Sequence, residues 1–219
     1  MNERSRGIEI VRHQGQGGFS ITVGGESVST QGKPASIHLN NQQALVYLVI
    51  DCSGSMSGHK LEQAKQGILD FAADALKNEY RVGLISFDTE AKLLCEPVRE
   101  IQVLVPGVKA LRVGGSTNMV DAVKLAHSQL RTPAGARVIV VATDGMPDDA
   151  PAALKAAQLA KNDGIEFIAI GTDDANQGFL QKLATRKELS AKVSSDMFAR
   201  AIASASNLLP PPRGIIKRQ

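Results

Sequence analysis

The hydrophobic positions of this chain fall into short runs that alternate with helical stripes. Ala44-Leu45-Val46-Tyr47-Leu48-Val49-Ile50 is continuously apolar, the mark of a strand covered on both faces. From Lys60 to Leu76, apolar or small residues recur at 61, 64, 68, 71, 72 and 75, a spacing that puts them on one helical face. Arg81 to Phe87 then predicts a second strand, and Lys92 to Val98 a short edge strand. Arg99 to Val113 is interrupted by Pro106 and Gly107; a short helix is expected there. Asn118 to Leu130 carries Ala122, Val123, Ala126 and Leu130 on one helical face. Arg137 to Thr143 repeats the continuous apolar pattern, Ala150 to Lys161 is an Ala-rich helix, and Glu166 to Ile170 is the last clear strand. Phe179 to Ala184 and Ser194 to Asn207 are expected as closing helices.

Alternating strands and helices imply a three-layer α/β architecture with a mostly parallel central sheet and helices on both faces. One short antiparallel edge strand is expected. Because the strands ending at Ile50 and Thr143 are apolar throughout, they should be adjacent and central. Sheets of this kind present their sites at the carboxyl ends of the strands, near the point where strand order reverses.

The two ends break the pattern. Ile8 to Val11 and Phe19 to Val23 predict a β-hairpin around Gly15, Gly17 and Gly18, and Ser27 to Pro34 is polar and turn-like. Pro210-Pro211-Pro212 stops the last helix ahead of the basic segment Arg213 to Gln219. The expected organisation is an N-terminal extension over residues 1–40, a domain over 41–208 and a Pro-rich, basic tail over 209–219.

Composition narrows the class. The 219 residues are 43% hydrophobic and 21% charged, an ordinary globular balance. No run approaches the roughly 20 apolar residues of a membrane helix, and Met1 to Gly7 contains no apolar segment of the secretory type. Two cysteines, Cys52 and Cys95, do not make a disulfide framework; unpaired thiols and a cytoplasmic location are expected. The net charge is +3, aromatics are 4% and Trp is absent, which argues against a nucleic-acid interface. A monomer by itself is expected.

Three segments carry the candidate chemistry. Asp51-Cys52-Ser53-Gly54-Ser55 follows the first buried strand, Gly114-Gly115-Ser116-Thr117 precedes a later helix, and Thr143-Asp144-Gly145 ends the second buried strand. Asp51, Ser53, Ser55, Thr117 and Asp144 supply two carboxylates and three hydroxyls. An all-oxygen set suits a small hard cation, Mg²⁺ first, with Mn²⁺ or Ca²⁺ as substitutes. No Cys/His group has zinc-ligand spacing. Asp and Ser ahead of a helix are also ordinary N-caps; the recurrence of hydroxyl and carboxylate at the other strand ends favours the metal reading.

Other motifs fail at definite positions. An EF-hand loop from Asp51 has Met56 where Gly is needed, and follows a strand instead of a helix. There is no G-x-x-x-x-G-K-[ST], the N-terminal glycines do not make G-x-G-x-x-G, and position 53 is Ser where a D-x-D phosphotransferase needs an acid. Cys52 has no base evident in the sequence. His13, His38 and His127 form no constellation, and His59 reads as a solvated helix-start residue. Asp88, Asp148, Asp149, Asp173 and Asp174 read as loop acids, of which Asp88 or Asp148 would support a ligand.

Asp51-Cys52-Ser53-Gly54-Ser55-Met56 resembles the DxSxS signature of the metal-ion-dependent adhesion site of von Willebrand factor A and integrin I domains. Thr117 matches that family's threonine, and Asp144, within Val140-Val141-Ala142-Thr143-Asp144-Gly145, its aspartate. Ser86-Phe87-Asp88 and Ile170-Gly171-Thr172 resemble the family's other strand ends, so the resemblance spans about Ala44 to Leu208. It implies a Rossmann-like fold whose metal completes its coordination with a carboxylate from a partner protein. It also implies kinship with intracellular stand-alone members, adaptors beside AAA+ ATPases, kinases or phosphatases. A metal-dependent interaction module is expected, not an enzyme; a Mg²⁺-dependent phosphohydrolase on the same edge is the alternative, and a structural subunit with a vestigial site a third.

Overall fold

The structure is a computed structural model that describes residues 8–12, 18–23, 26–31, 43–131 and 135–212. By backbone contacts the chain divides into two compact units, Met1–Asn40 and Asn41–Gln219.

In the first unit, β1 (Ile8–Arg12), β2 (Gly18–Val23) and β3 (Glu26–Gln31) form an antiparallel three-stranded sheet in that order. The first two strands are the expected hairpin, with Ile10 opposite Ile21. Ser27 to Gln31, read as polar turn, is instead strand: Ser27 pairs with Thr22 and Gln31 with Gly18. Its alternating Ser, Val, Ser, Thr lacks an apolar run, but backbone pairing does not require one.

The second unit is built on a six-stranded sheet. Its strands are β4 (Ala44–Asp51), β5 (Tyr80–Phe87), β6 (Ala91–Val98), β7 (Arg137–Thr143), β8 (Glu166–Gly171) and β9 (Ser190–Lys192). The spatial order is β6-β5-β4-β7-β8-β9, and every pairing is parallel except β5 with β6. The two continuous apolar runs are thus the central pair, with Ile50 opposite Ala142. The antiparallel strand is the expected edge piece, begun one residue ahead of Lys92. It runs for 8 residues and keeps pace with β5 through register shifts around Leu84. The three residues of β9 carry no periodic signal and are strand only because β8 pairs with them.

Two groups of helices cover the sheet, giving the three layers. In one group α1 (His59–Lys77) packs against α2 (Ile101–Ala110) and α6 (Phe198–Ser204). In the other α4 (Ala150–Asn162) packs against α3 (Met119–Gln129) and α5 (Gln177–Leu183). The predicted α1 stripe is the buried face: Leu61, Ala64, Ile68, Phe71, Ala72 and Ala75 are all buried. Two glycines set how closely parts approach. A Cβ on Gly67 would lie 2.6 Å from the Ala199 carbonyl oxygen, so α1 and α6 touch backbone to backbone. A Cβ on Gly83 would fall 2.3 Å from the Tyr47 ring, which crosses β5 to bring its hydroxyl 3.3 Å from a Glu96 carboxylate oxygen on β6.

β4 is flanked by β5 on one side and β7 on the other. The chain therefore reverses direction across the sheet at β4/β7, and the carboxyl ends of these two strands open a crevice where no crossover helix covers them. Asp51 ends one strand, and Asp144 follows the other.

Candidate metal centre

Each predicted site segment is placed by backbone hydrogen bonds. β4 ends at Asp51, and the Cys52 N–H donates to the Phe87 carbonyl at 2.7 Å, which prolongs the sheet by one residue. A single 3-10 turn over Gly54–Met56 follows, and α1 begins only at His59, behind Gly58 with φ +72°. Gly58 takes a left-handed conformation that separates this turn from the helix, whose start at His59 is one residue ahead of the stripe read from Lys60.

The α2–α3 loop is pinned to this turn. The Gly114 N–H donates to the Cys52 carbonyl at 2.6 Å and the Gly54 N–H to the Gly115 carbonyl at 3.0 Å. A side chain at Gly114 would strike the Asp88 carboxylate. The β7–α4 loop joins reciprocally: the Thr117 N–H points at both Asp148 carboxylate oxygens (3.2 and 3.1 Å), and the Asp148 N–H donates to the Thr117 carbonyl at 3.1 Å. Asp148 thus holds the backbone of Thr117. Asp149 instead caps α4, accepting from the Ala152 N–H at 2.9 Å.

Within this frame three oxygens converge. The Ser53 and Ser55 hydroxyls are 3.2 Å apart, and the Ser55 hydroxyl donates to Asp144 Oδ1 at 2.7 Å. Ser53 makes no side-chain capping hydrogen bond, so the N-cap reading of this loop fails for it. Asp51 is fully buried just behind. Its Oδ1 accepts from the Ser53 N–H at 2.8 Å and its Oδ2 from the Thr143 hydroxyl at 2.5 Å. Burial pushes the Asp51 carboxyl above the ordinary range, against the opposing pull of the hydrogen bonds from Ser53 and Thr143. A carboxylate whose charged form is penalised by desolvation is a place where a cation is stabilising.

Two participants were not legible as site residues. Thr143, at the end of an apolar run, holds Asp51. Lys60, read only as the first position of a helical stripe, reaches Asp144 Oδ2 at 2.6 Å and Asp174 Oδ2 at 2.7 Å. Burial pulls the Lys60 ammonium down, but the hydrogen bonds it donates to Asp144 and Asp174 outweigh it and hold the proton. The two imidazoles among the described residues are engaged elsewhere, His59 with Asp196 at 3.4 Å and His127 with Asp163 at 2.6 Å, while His13 and His38 lie outside the described residues. Both cysteines are free; Cys52 is buried and Cys95 partly so.

A family model for the von Willebrand factor type A domain matches residues 46–205, which is most of the chain. The chain belongs to that family. The vWA fold also recurs among solved structures. The vWF domain of the type V pili tip protein Mfa5 from Porphyromonas gingivalis superimposes with a TM-score of 0.71 at 17% identity, over 81% of this chain and 99% of that one. Proximal thread matrix protein 1 from the mussel byssus, described with a zinc-occupied MIDAS motif, gives 0.66 at 17% identity over 77% of this chain and 48% of that one. Among sequence relatives, human von Willebrand factor A domain-containing protein 3B is 31% identical over 48% of this chain and 8% of its own length. The magnesium-chelatase 67 kDa subunit of Heliobacterium mobile is 25% identical over 64% of this chain and 24% of its own. The vWA chain thus spans a minor part of these larger proteins.

The donor set fits a hard cation. Two buried carboxylates and two convergent hydroxyls are oxygen donors of the kind Mg²⁺ prefers. Among the described residues no three His, Cys, Asp or Glu side chains gather into a metal cluster of another kind. Likewise no helix among them is long and apolar enough to cross a membrane.

Proposed function

We propose that this vWA domain binds one divalent cation, Mg²⁺ by the hardness of its donors, and presents it to an Asp or Glu of a partner protein. Asp51, Ser53, Ser55, Thr117 and Asp144 would hold the ion, directly or through water. The observation that carries this reading is the convergence of the Ser53 hydroxyl, the Ser55 hydroxyl and Asp144 Oδ1 within 3.2 and 2.7 Å, above a buried Asp51. Zinc, which occupies the corresponding motif of the byssus protein by its description, belongs in any titration beside Mg²⁺, Mn²⁺ and Ca²⁺.

Binding is favoured over catalysis because the groups around the ion are already committed. Both Asp51 oxygens accept hydrogen bonds, and Asp144 is shared between Ser55 and Lys60. His59 and His127 pair with other acids, so neither stands ready as a general base. The role we assign is an intracellular adaptor that engages a larger machine, an AAA+ ATPase, kinase or phosphatase. A relative that is by name a subunit of a chelatase and the two free thiols support that setting.

The test is calorimetric titration of Mg²⁺ into wild type and Asp51→Ala, followed by partner capture with Mg²⁺ and with chelator. Asp51→Ala should lose metal binding and partner binding while keeping its helical circular-dichroism signal. Equal capture under all conditions would place the interaction surface elsewhere.

A further inference from the structure

Asp144 is fully buried, and its two oxygens face different neighbours. Oδ1 takes the Ser55 hydroxyl and belongs to the convergent set, whereas Oδ2 takes the Lys60 ammonium at 2.6 Å. Lys60 is the second residue of α1, with a side chain only 19% exposed, and its other bond goes to Asp174, 67% exposed, on the loop after β8. One ammonium therefore ties the start of α1 to the ends of two adjacent strands, β7 and β8.

From this geometry we infer that Lys60 is a built-in counter-cation that sets the charge of the metal centre: it weakens the hold on the metal and strengthens the hold of the loaded centre on an incoming carboxylate. The inference rests on the metal reading of the site. Without Lys60, the two buried carboxylates would match a divalent ion, and the loaded centre would be neutral. With Lys60 on the outer oxygen of Asp144, only one negative charge is left uncompensated, so the loaded centre keeps one positive charge. A partner carboxylate cancels it. Asp174 alters this count little, because a well-solvated carboxylate is screened. Its effect is to draw Lys60 partly off Asp144.

Two substitutions of opposite expected sign test this with Mg²⁺ and Mn²⁺ alone, by calorimetry. Lys60→Met keeps the stem and removes the charge, and should bind the metal on the order of tenfold more tightly. Acetate or a short Asp-containing peptide should then bind the loaded variant more weakly than it binds loaded wild type. Asp174→Asn leaves Lys60 wholly on Asp144 and should bind the metal more weakly. Lys60→Arg, which retains the charge, should stay near wild type, an outcome that simple packing of the side chain would not give. Circular dichroism and the thermal midpoint establish that each variant is folded. If wild type binds the metal and Lys60→Met binds it equally or more weakly, the inference falls while the metal reading stands. If wild type binds no divalent ion, both fall.

Discussion

Thr143 shows how much one residue at a strand end decides. Its hydroxyl is the donor to Asp51 Oδ2, at 2.5 Å and out of contact with water. Asp51 has already lost solvation, so removing that donor leaves a buried carboxylate oxygen unmatched. Thr143→Val, nearly identical in shape, should therefore cost about 1–3 kcal/mol of stability. It should also weaken metal binding roughly tenfold, as loss of a group that orients a ligand does. Urea unfolding and calorimetry measure the two effects separately. If neither moves, the Thr143–Asp51 bond is not what holds the carboxylate in place. Asp148 plays the corresponding part for the Thr117 backbone, so the support of this candidate centre is shared between a hydroxyl and a carboxylate.

Between elements, the contact of α1 with α6 is the most exacting. The pattern of α1 placed its buried face correctly, yet Gly67 on that face is not an absence of packing. It is the place where α6 lies close enough for the Ala199 carbonyl and the Ile202 side chain to fill the space of a Cβ. Two effects oppose each other in Gly67→Ala. Helix propensity favours Ala by about 1 kcal/mol, whereas forcing a methyl group into a filled interface costs about 1–3 kcal/mol. The 2.6 Å approach is to backbone, which cannot rotate aside, so overpacking should win and the thermal midpoint should fall. A midpoint that rises would mean that α6 shifts freely on α1. At the other margin of the sheet, β6 keeps its pairing with β5 through register shifts around Leu84.

For the whole molecule, burial of weak acids sets the alkaline limit. Burial pushes the Cys52 thiol up to about 12 from its ordinary 9.0, with the Asp51 and Asp88 charges adding to it. Desolvation raises the Tyr47 and Tyr80 phenols as well, with help from Glu96 and Glu166 respectively. All three groups keep their protons in the folded state at a pH where the unfolded chain releases them. Stability from this source is fully present below about pH 9 and is lost as pH rises toward 12. Denaturant midpoints taken between pH 7 and about 11 should fall steadily above 9, and a flat profile would contradict the burial of these groups. The same core should leave the fold independent of any bound ion. Two central strands are buried along nearly their whole length, so chelation should abolish partner binding yet leave the helical signal unchanged. Loss of that signal in chelator would make the cation the organiser of the fold.

Much of this organisation was written in local pattern. The continuous apolar runs of β4 and β7 marked the two strands that the sheet buries in its centre, since only a strand covered on both faces dispenses with polar positions. The spacing of Asp51, Ser53 and Ser55 announced an oxygen-rich loop because its members lie within five residues of one another. What local pattern omits is the partner. β9 is strand because β8 offers its edge, and Ser27 to Gln31 is strand because β2 pairs with it. Lys60 had the ordinary appearance of a polar helix residue, and only folding brought it to Asp144, 84 positions away, and to Asp174, 114 positions away. Thr143 meets Asp51 across 92 positions in the same way. Periodicity records which residues leave water; which charges then face each other is decided by strand order. The sequence by itself therefore determined the layers of this protein and the chemistry of its oxygen-rich loop, and the tertiary structure alone decided the charge that surrounds it.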